Sequence, residues 1–148
     1  MDAPKAARLL MVEDNNMDIV LTLDAFREAR LTNEIQVVQT GEQALKYLFG
    51  EEEYCDRACY PLPDLVLLDL KLPGMSGHEV LARVKSTPLL KRIPVIVLTS
   101  SKEEGDLEMS YDRGANSYLV KPITFEGFME TVKSIERYWL TLNVAAPK

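Results

Sequence analysis

Short apolar runs alternate along this chain with stretches in which apolar residues recur three or four positions apart. The runs are RLLMV (8–12), EIQVVQ (34–39), LVLLD (65–69), IPVIVLTS (93–100) and SYLV (117–120). The run at 65–69 does not alternate, which marks a strand covered on both faces. The run at 93–100 is dense in β-branched residues and is the strongest strand pattern. Between the runs the spacing predicts helices. The first spans about Asn16 to Arg30, with Asn15 or Asn16 as N-cap. The next span Gly41 to Leu48, Ser76 to Ser86, and Lys102 to Arg113, the last closed by Gly114. A final helix starts near Thr124 and carries Phe125, Phe128, Met129, Val132, Ile135 and Trp139 at helical spacing. Strand then helix, five times, with non-alternating strands, means an α/β fold: a parallel sheet covered by helices on both faces.

We expect one domain over residues 1–148. There is no internal repeat, no linker, and only a short tail at 143–148. The least regular stretch is GEEEYCDRACYPLP (50–63), read as a long loop with an acidic start.

Composition narrows the function. The 148 residues are 47% apolar, which excludes disorder, and the net charge of −6 comes with no basic run. A nucleic-acid surface needs clustered Lys and Arg, so no nucleic-acid partner is expected. No apolar stretch spans a bilayer, and the start MDAPKAARLLMVED has too short an apolar core for a signal peptide. A cytoplasmic protein without a membrane partner is the expectation. Cys55 and Cys59 read as reduced loop thiols, because no second pair completes a zinc site. The only histidine, His78, lies in another segment, near a helix start, and is read as solvent-facing.

The acids fall at strand ends. The first run stops at Glu13-Asp14, the third at Asp69, the fourth at Thr99-Ser100, and the fifth just before Lys121-Pro122. In open parallel sheets, ligands bind beyond the carboxyl ends of the strands. If the first and third strands are neighbours, three carboxylates converge. Two unit charges ~4 Å apart repel by roughly 4 kcal/mol at an effective dielectric near 20, so the cluster needs a cation. Hard oxygen ligands with room for water suit Mg²⁺ or Mn²⁺. A carboxylate beside such an ion can attack a phosphoryl group and form an acyl phosphate. Asp69 stands alone and is the candidate nucleophile, while the pair Glu13-Asp14 suits the metal. Lys121 would neutralise transferred charge, and Thr99 could hydrogen-bond a phosphate oxygen.

These segments resemble a known family. VEDN after the first strand, LLDLKLPGMSG at the third, VIVLTS at the fourth and GANSYLVKP at the fifth are similar to a bacterial response regulator receiver domain. The resemblance implies the flavodoxin-like (βα)5 fold with strand order 2-1-3-4-5. It implies that Asp69 accepts a phosphoryl group from a phosphohistidine of a sensor histidine kinase. Asp14, Asp69 and the backbone carbonyl of Lys71 would bind Mg²⁺, with Glu13 assisting through water. Thr99 and Tyr118 would be the switch residues, Lys121 would pair with the phosphate, and Lys121-Pro122 would be cis. Lys71 and Ser101 occupy the positions that tune phosphate lifetime, and Lys71 is expected to slow the decay.

The long 50–63 loop and the end IERYWLTLNVAAPK resemble stand-alone receivers paired with phytochrome-type kinases, which implies a bacteriophytochrome partner. The resemblance also implies a homodimer through the last helix and tail, with Tyr138, Trp139, Leu140 and Leu142 as candidate contacts. Two rival readings stand. A phosphatase of the haloacid dehalogenase type also uses a strand-end Asp, but it carries a second acid two residues later, where this chain has Lys71. A degenerate receiver would only bind partners.

Overall fold

Val12 pairs with Val38 on one side and with Leu68 on the other, and that register sets the whole sheet. The computed structural model describes residues 7–100 and 102–142, with the side chains of 140–142 excepted. The strands are β1 Leu9–Val12, β2 Ile35–Val38, β3 Leu65–Leu68, β4 Val95–Thr99 and β5 Ser117–Val120. All pairings are parallel, in the order β2-β1-β3-β4-β5, which is the flavodoxin-like arrangement. The helices are α1 Asn16–Glu28, α2 Gly41–Phe49, α3 Gly77–Ser86, α4 Glu104–Asp112 and α5 Phe125–Ile135. A π-helical stretch, Glu136–Leu142, continues α5.

Alternate side chains of the central strands feed two cores. Leu10, Val12, Val66, Leu68, Val95 and Val97 pack with Leu45 and Leu48 of α2 and Val80, Leu81 and Val84 of α3. On the other face, Leu9, Leu65, Leu67 and Ile96 meet Phe26 of α1 and Phe128, Val132 and Ile135 of α5. Each fully buried aliphatic side chain contributes about 1.5–3 kcal/mol from leaving water. Strands buried on both faces therefore need no polar alternation.

Helix ends follow local chemistry. Asn15 caps α1 by accepting from Asp18 N–H at 3.1 Å, and Ser76 and Thr124 cap α3 and α5 in the same way. Helix α1 stops at Glu28, short of the expected Arg30. Arg30 takes φ of 59°, and Leu31 N–H returns to the Phe26 carbonyl at 2.9 Å. That is a Schellman closure with arginine where glycine is usual. Strand β4 starts at Val95, later than expected, because Pro94 has no N–H for the ladder.

The 50–63 segment is more ordered than a plain loop. It holds a single 3₁₀ turn, Glu52–Tyr54. Arg57 forks onto the carbonyls of Tyr47 and Leu48 at the end of α2 at 2.8 and 2.7 Å. The Tyr60 ring packs edge to face on Tyr47 and Tyr54 at centroid distances of 6.1 and 5.1 Å, and Tyr47 and Tyr54 are tilted to each other at 5.1 Å. Cys55 and Cys59 are exposed and unpaired as thiols.

Two expectations are corrected. His78 is not solvent-facing: its side chain is 12% exposed, and its Nε2 lies 3.0 Å from Asp106 Oδ1. Helix α4 covers that edge of α3 and supplies an acceptor. The Lys121-Pro122 bond is trans, since no described peptide bond is cis. Trans is the intrinsically favoured isomer by about 0.5–1 kcal/mol.

Candidate functional site

The register explains why acids from distant segments meet. Asp69 N–H donates to the Val12 carbonyl, and Glu13 N–H to the Val38 carbonyl, both at 3.0 Å. The β1–β3 ladder thus delivers Glu13 and Asp69 side by side at the carboxyl edge. Each of Glu13, Asp14 and Asp69 offers an oxygen within 4.8 Å of the others. Glu13 and Asp69 are buried, whereas Asp14 faces solvent. Close packing fixes the Asp69 backbone from behind. Gly77 N–H donates to the Leu70 carbonyl at 2.9 Å, and a Cβ at Gly77 would collide with the Asp69 carbonyl oxygen.

Lys121 reaches into this cluster from the end of β5. Its backbone N–H donates to the Thr99 carbonyl at 2.7 Å, which sets the β5 exit beside β4. Its Nζ donates to Glu13 Oε1, to Asp69 Oδ2 at 3.0 Å and to Asp18 Oδ2 at 2.8 Å. Burial alone would lower the lysine, but hydrogen bonds to Asp18 and Glu13 and the Asp69 charge hold it well above its usual range. Burial pushes the Glu13 carboxyl up to about 7, and the Asp69 charge adds to the rise against the pull of Lys121.

The other predicted residues are placed as follows. Thr99 ends β4 and is fully buried. Lys71 is exposed, and its N–H donates to Asp69 Oδ1 at 3.3 Å. Tyr118 is half-buried on β5 and packs against the core under α2 and α3. Trp139 packs partly on the core under α1 and α5, edge-on to the exposed Tyr138. Ser101, the tail 143–148 and the side chains of Leu140 and Leu142 lie outside the described residues. Asp18 went unnoticed in the sequence. Its only local hint was an acid in the first turn of α1, and nothing there shows that it reaches Lys121.

The donor set suits a hard divalent cation. All three converging ligands are carboxylates, the lysine leaves an excess of negative charge, and the open side at Asp14 leaves room for the waters that Mg²⁺ retains.

A doubly wound parallel sheet with an acid cluster and a buried lysine at its carboxyl edge defines a class, and comparison agrees with it. The chain belongs to the response regulator receiver domain family, whose model matches residues 9–133. It is 43% identical over 135 residues to the probable methanogenesis regulatory protein FilR2 of Methanothrix harundinacea, covering 91% of this chain and 84% of that one. It is 39% identical to the response regulator Rcp1 of Synechocystis over 132 residues, 89% of this chain and 88% of Rcp1. The Mn²⁺-bound form of Rcp1 superposes with a TM-score of 0.85 over 95% of this chain and 99% of that one, at 36% identity. The phosphorylated cyanobacterial phytochrome response regulator RcpA superposes with a TM-score of 0.90 at 40% identity, covering 97% of this chain and all of RcpA. The chain is thus a receiver domain related to stand-alone phytochrome regulators. Among the described residues, no helix is long and apolar enough to cross a membrane.

Proposed function

We propose that this receiver accepts a phosphoryl group on Asp69 from a phosphohistidine of a sensor histidine kinase and signals by binding other proteins. The observation that carries this reading is the Lys121 ammonium, 3.0 Å from an Asp69 carboxylate that shares a cluster with Glu13 and Asp14. An Asp69 oxygen attacks phosphorus, the P–N bond to the imidazole breaks, and the imidazole nitrogen takes up a proton. Glu13, Asp14 and Asp69, with the Lys71 carbonyl, would hold Mg²⁺ or Mn²⁺. The ion supplies charge neutralisation to the transferred group. The chain's own residues do the rest. Lys121 holds a positive charge at the acceptor, Lys71 N–H orients the Asp69 carboxylate, and Thr99 and Tyr118 respond to the new group as switch residues.

The partner in this proposal is a phytochrome-type kinase, a reading supported by the likeness to RcpA and Rcp1. A homodimer through the C-terminal helix and tail belongs to the same proposal. Its support is Tyr138, 55% exposed beside the half-buried Trp139.

Treatment with acetyl phosphate and Mg²⁺ is expected to add the mass of one phosphoryl group, and Asp69→Asn to abolish the gain. No gain in the wild type would leave the degenerate, binding-only reading. Steady phosphate release from a small phosphomonoester would favour the phosphatase. The exposed Lys71, in place of an acid, weighs against that rival.

A further inference from the structure

Lys121 is gripped by one acid that the proposed chemistry does not use. An ammonium has three N–H donors, and Glu13, Asp69 and Asp18 take all three. Asp18 is not part of the converging cluster of Glu13, Asp14 and Asp69. It belongs to the first turn of α1, 103 residues from Lys121 in sequence. The helix start holds its backbone. Its N–H donates to Asn15 Oδ1 at 3.1 Å, and its carbonyl accepts the Thr22 hydroxyl at 2.8 Å. Its side chain is 21% exposed, against 2% for Glu13 and 7% for Asp69, so it sits at the rim.

We propose that Asp18 is a positioning residue that competes with a phosphoryl group on Asp69 for the Lys121 ammonium, and so limits how tightly the phosphorylated state is held. This rests on the reading of Asp69 as phosphoacceptor. When a phosphoryl group arrives, the N–H now on Asp69 Oδ2 is the one nearest the new oxygens. A second N–H becomes available only if Lys121 releases Glu13 or Asp18. Glu13 is drawn on by the divalent cation that the same site would hold. Asp18 lies outside that cluster and keeps its grip. It also brings a further negative charge to within two hydrogen-bond lengths of Asp69 Oδ2, where it repels an incoming anion. Helix α1 and the β5–α5 connection are therefore tied through Lys121 until the phosphoryl group contests the tie.

The test compares the wild type, Asp18→Asn, Asp18→Ser and Asp18→Glu, all as full chains. Beryllofluoride with Mg²⁺ serves as the phosphoryl mimic, and thermal melts check folding. Asp18→Asn keeps an acceptor and removes the charge. It is expected to bind beryllofluoride about threefold or more tightly, since charge-assisted hydrogen bonds are roughly twice as strong as neutral ones. It should hold a phosphoryl group from acetyl phosphate longer by a like factor. Asp18→Ser should shift in the same direction, Asp18→Glu should return towards wild type, and raised salt should shrink the differences. In metal-free, phosphate-free protein, the Lys121 Nζ resonance should move in Asp18→Asn and its ammonium protons should exchange faster. Equal or weaker beryllofluoride affinity in Asp18→Asn and Asp18→Ser, beside a wild type that binds, overturns the role of Asp18 and leaves the phosphoacceptor reading standing. A wild type that takes up neither beryllofluoride nor phosphoryl removes both.

Discussion

Lys121 and Lys85 each set an ammonium against three oxygens, at opposite ends of the sheet. Lys121 follows β5 at the carboxyl edge and meets three carboxylates. Lys85, in the last turn of α3, donates to the Lys91 carbonyl at 3.0 Å, the Ile93 carbonyl at 2.8 Å and Asn116 Oδ1 at 3.1 Å. Charged acceptors hold Lys121 above its usual range, while burial among neutral ones pushes Lys85 down to about 8. Counting hydrogen bonds does not distinguish the two sites, but counting charges does. Lys85 is a clip that closes the turn between α3 and β4. Lys121 is a counter-ion in a cluster that still carries excess negative charge, which suits a site that takes in a cation and then an anion.

The largest effect should come from deleting the counter-ion. Lys121→Met leaves Glu13 and Asp69 buried without it. In metal-free protein at about pH 8 this should cost about 3 kcal/mol by urea denaturation. The penalty should shrink at about pH 5. Glu13 already lies above its unfolded value in the wild type, at about 7, so the folded state binds more protons than the unfolded one between 4.5 and about 7. Stability from that group is present below this window and is lost as pH rises through it, and removing Lys121 extends the window upward. Mg²⁺ should stabilise the variant more than the wild type. A variant as stable as the wild type at about pH 8 would show that the ammonium does not balance these acids.

How much of this was legible in the sequence depends on whether the cause was local. The apolar runs at 65–69 and 93–100 announce buried parallel strands because burial on both faces acts on each residue in turn. The acids at strand ends are legible because a carboxylate after such a run has few structural uses. The Asn15, Ser76 and Thr124 caps are likewise local. What could not be read needs a partner far along the chain. Asp18 reaches Lys121 across α1 and the β5 exit. His78 meets Asp106 only because α4 lies along α3. Arg57 grips the end of α2 only once the 50–63 segment folds back. The left-handed Arg30 went unseen because arginine rarely takes that conformation.

A smaller effect should come from the neutral clip. Lys85→Met loses three hydrogen bonds to uncharged oxygens and keeps the stem that packs on Gly114, so about 1–2 kcal/mol is expected. Its pH dependence should run opposite to that of Glu13. Lys85 falls from 10.5 unfolded to about 8 folded, so between those values the unfolded chain binds more protons. Wild-type stability relative to Lys85→Met should therefore rise as pH rises from about 8 to about 10.5. Denaturation midpoints of both proteins at about pH 7 and about pH 10 measure it, and a difference that falls over that range would contradict the role of burial.

The smallest change converts one site towards the other. Asn116 Oδ1 accepts from both Lys85 Nζ and Val95 N–H, the latter at 2.9 Å. Asn116→Asp preserves that oxygen and adds the charge that Lys85 lacks and Lys121 has. The Lys85 titration, followed by NMR of its ammonium, should move up from about 8 towards the ordinary range for lysine. Residue 116 is exposed, so the gain in stability at neutral pH should be only about 0.5 kcal/mol and should fade in high salt. Acceptor charge, rather than depth of burial, would then account for the contrast between the two lysines. A Lys85 that still titrates near 8 beside the new carboxylate would instead make burial the deciding factor, and the high value at Lys121 would then need all three of its acids acting together.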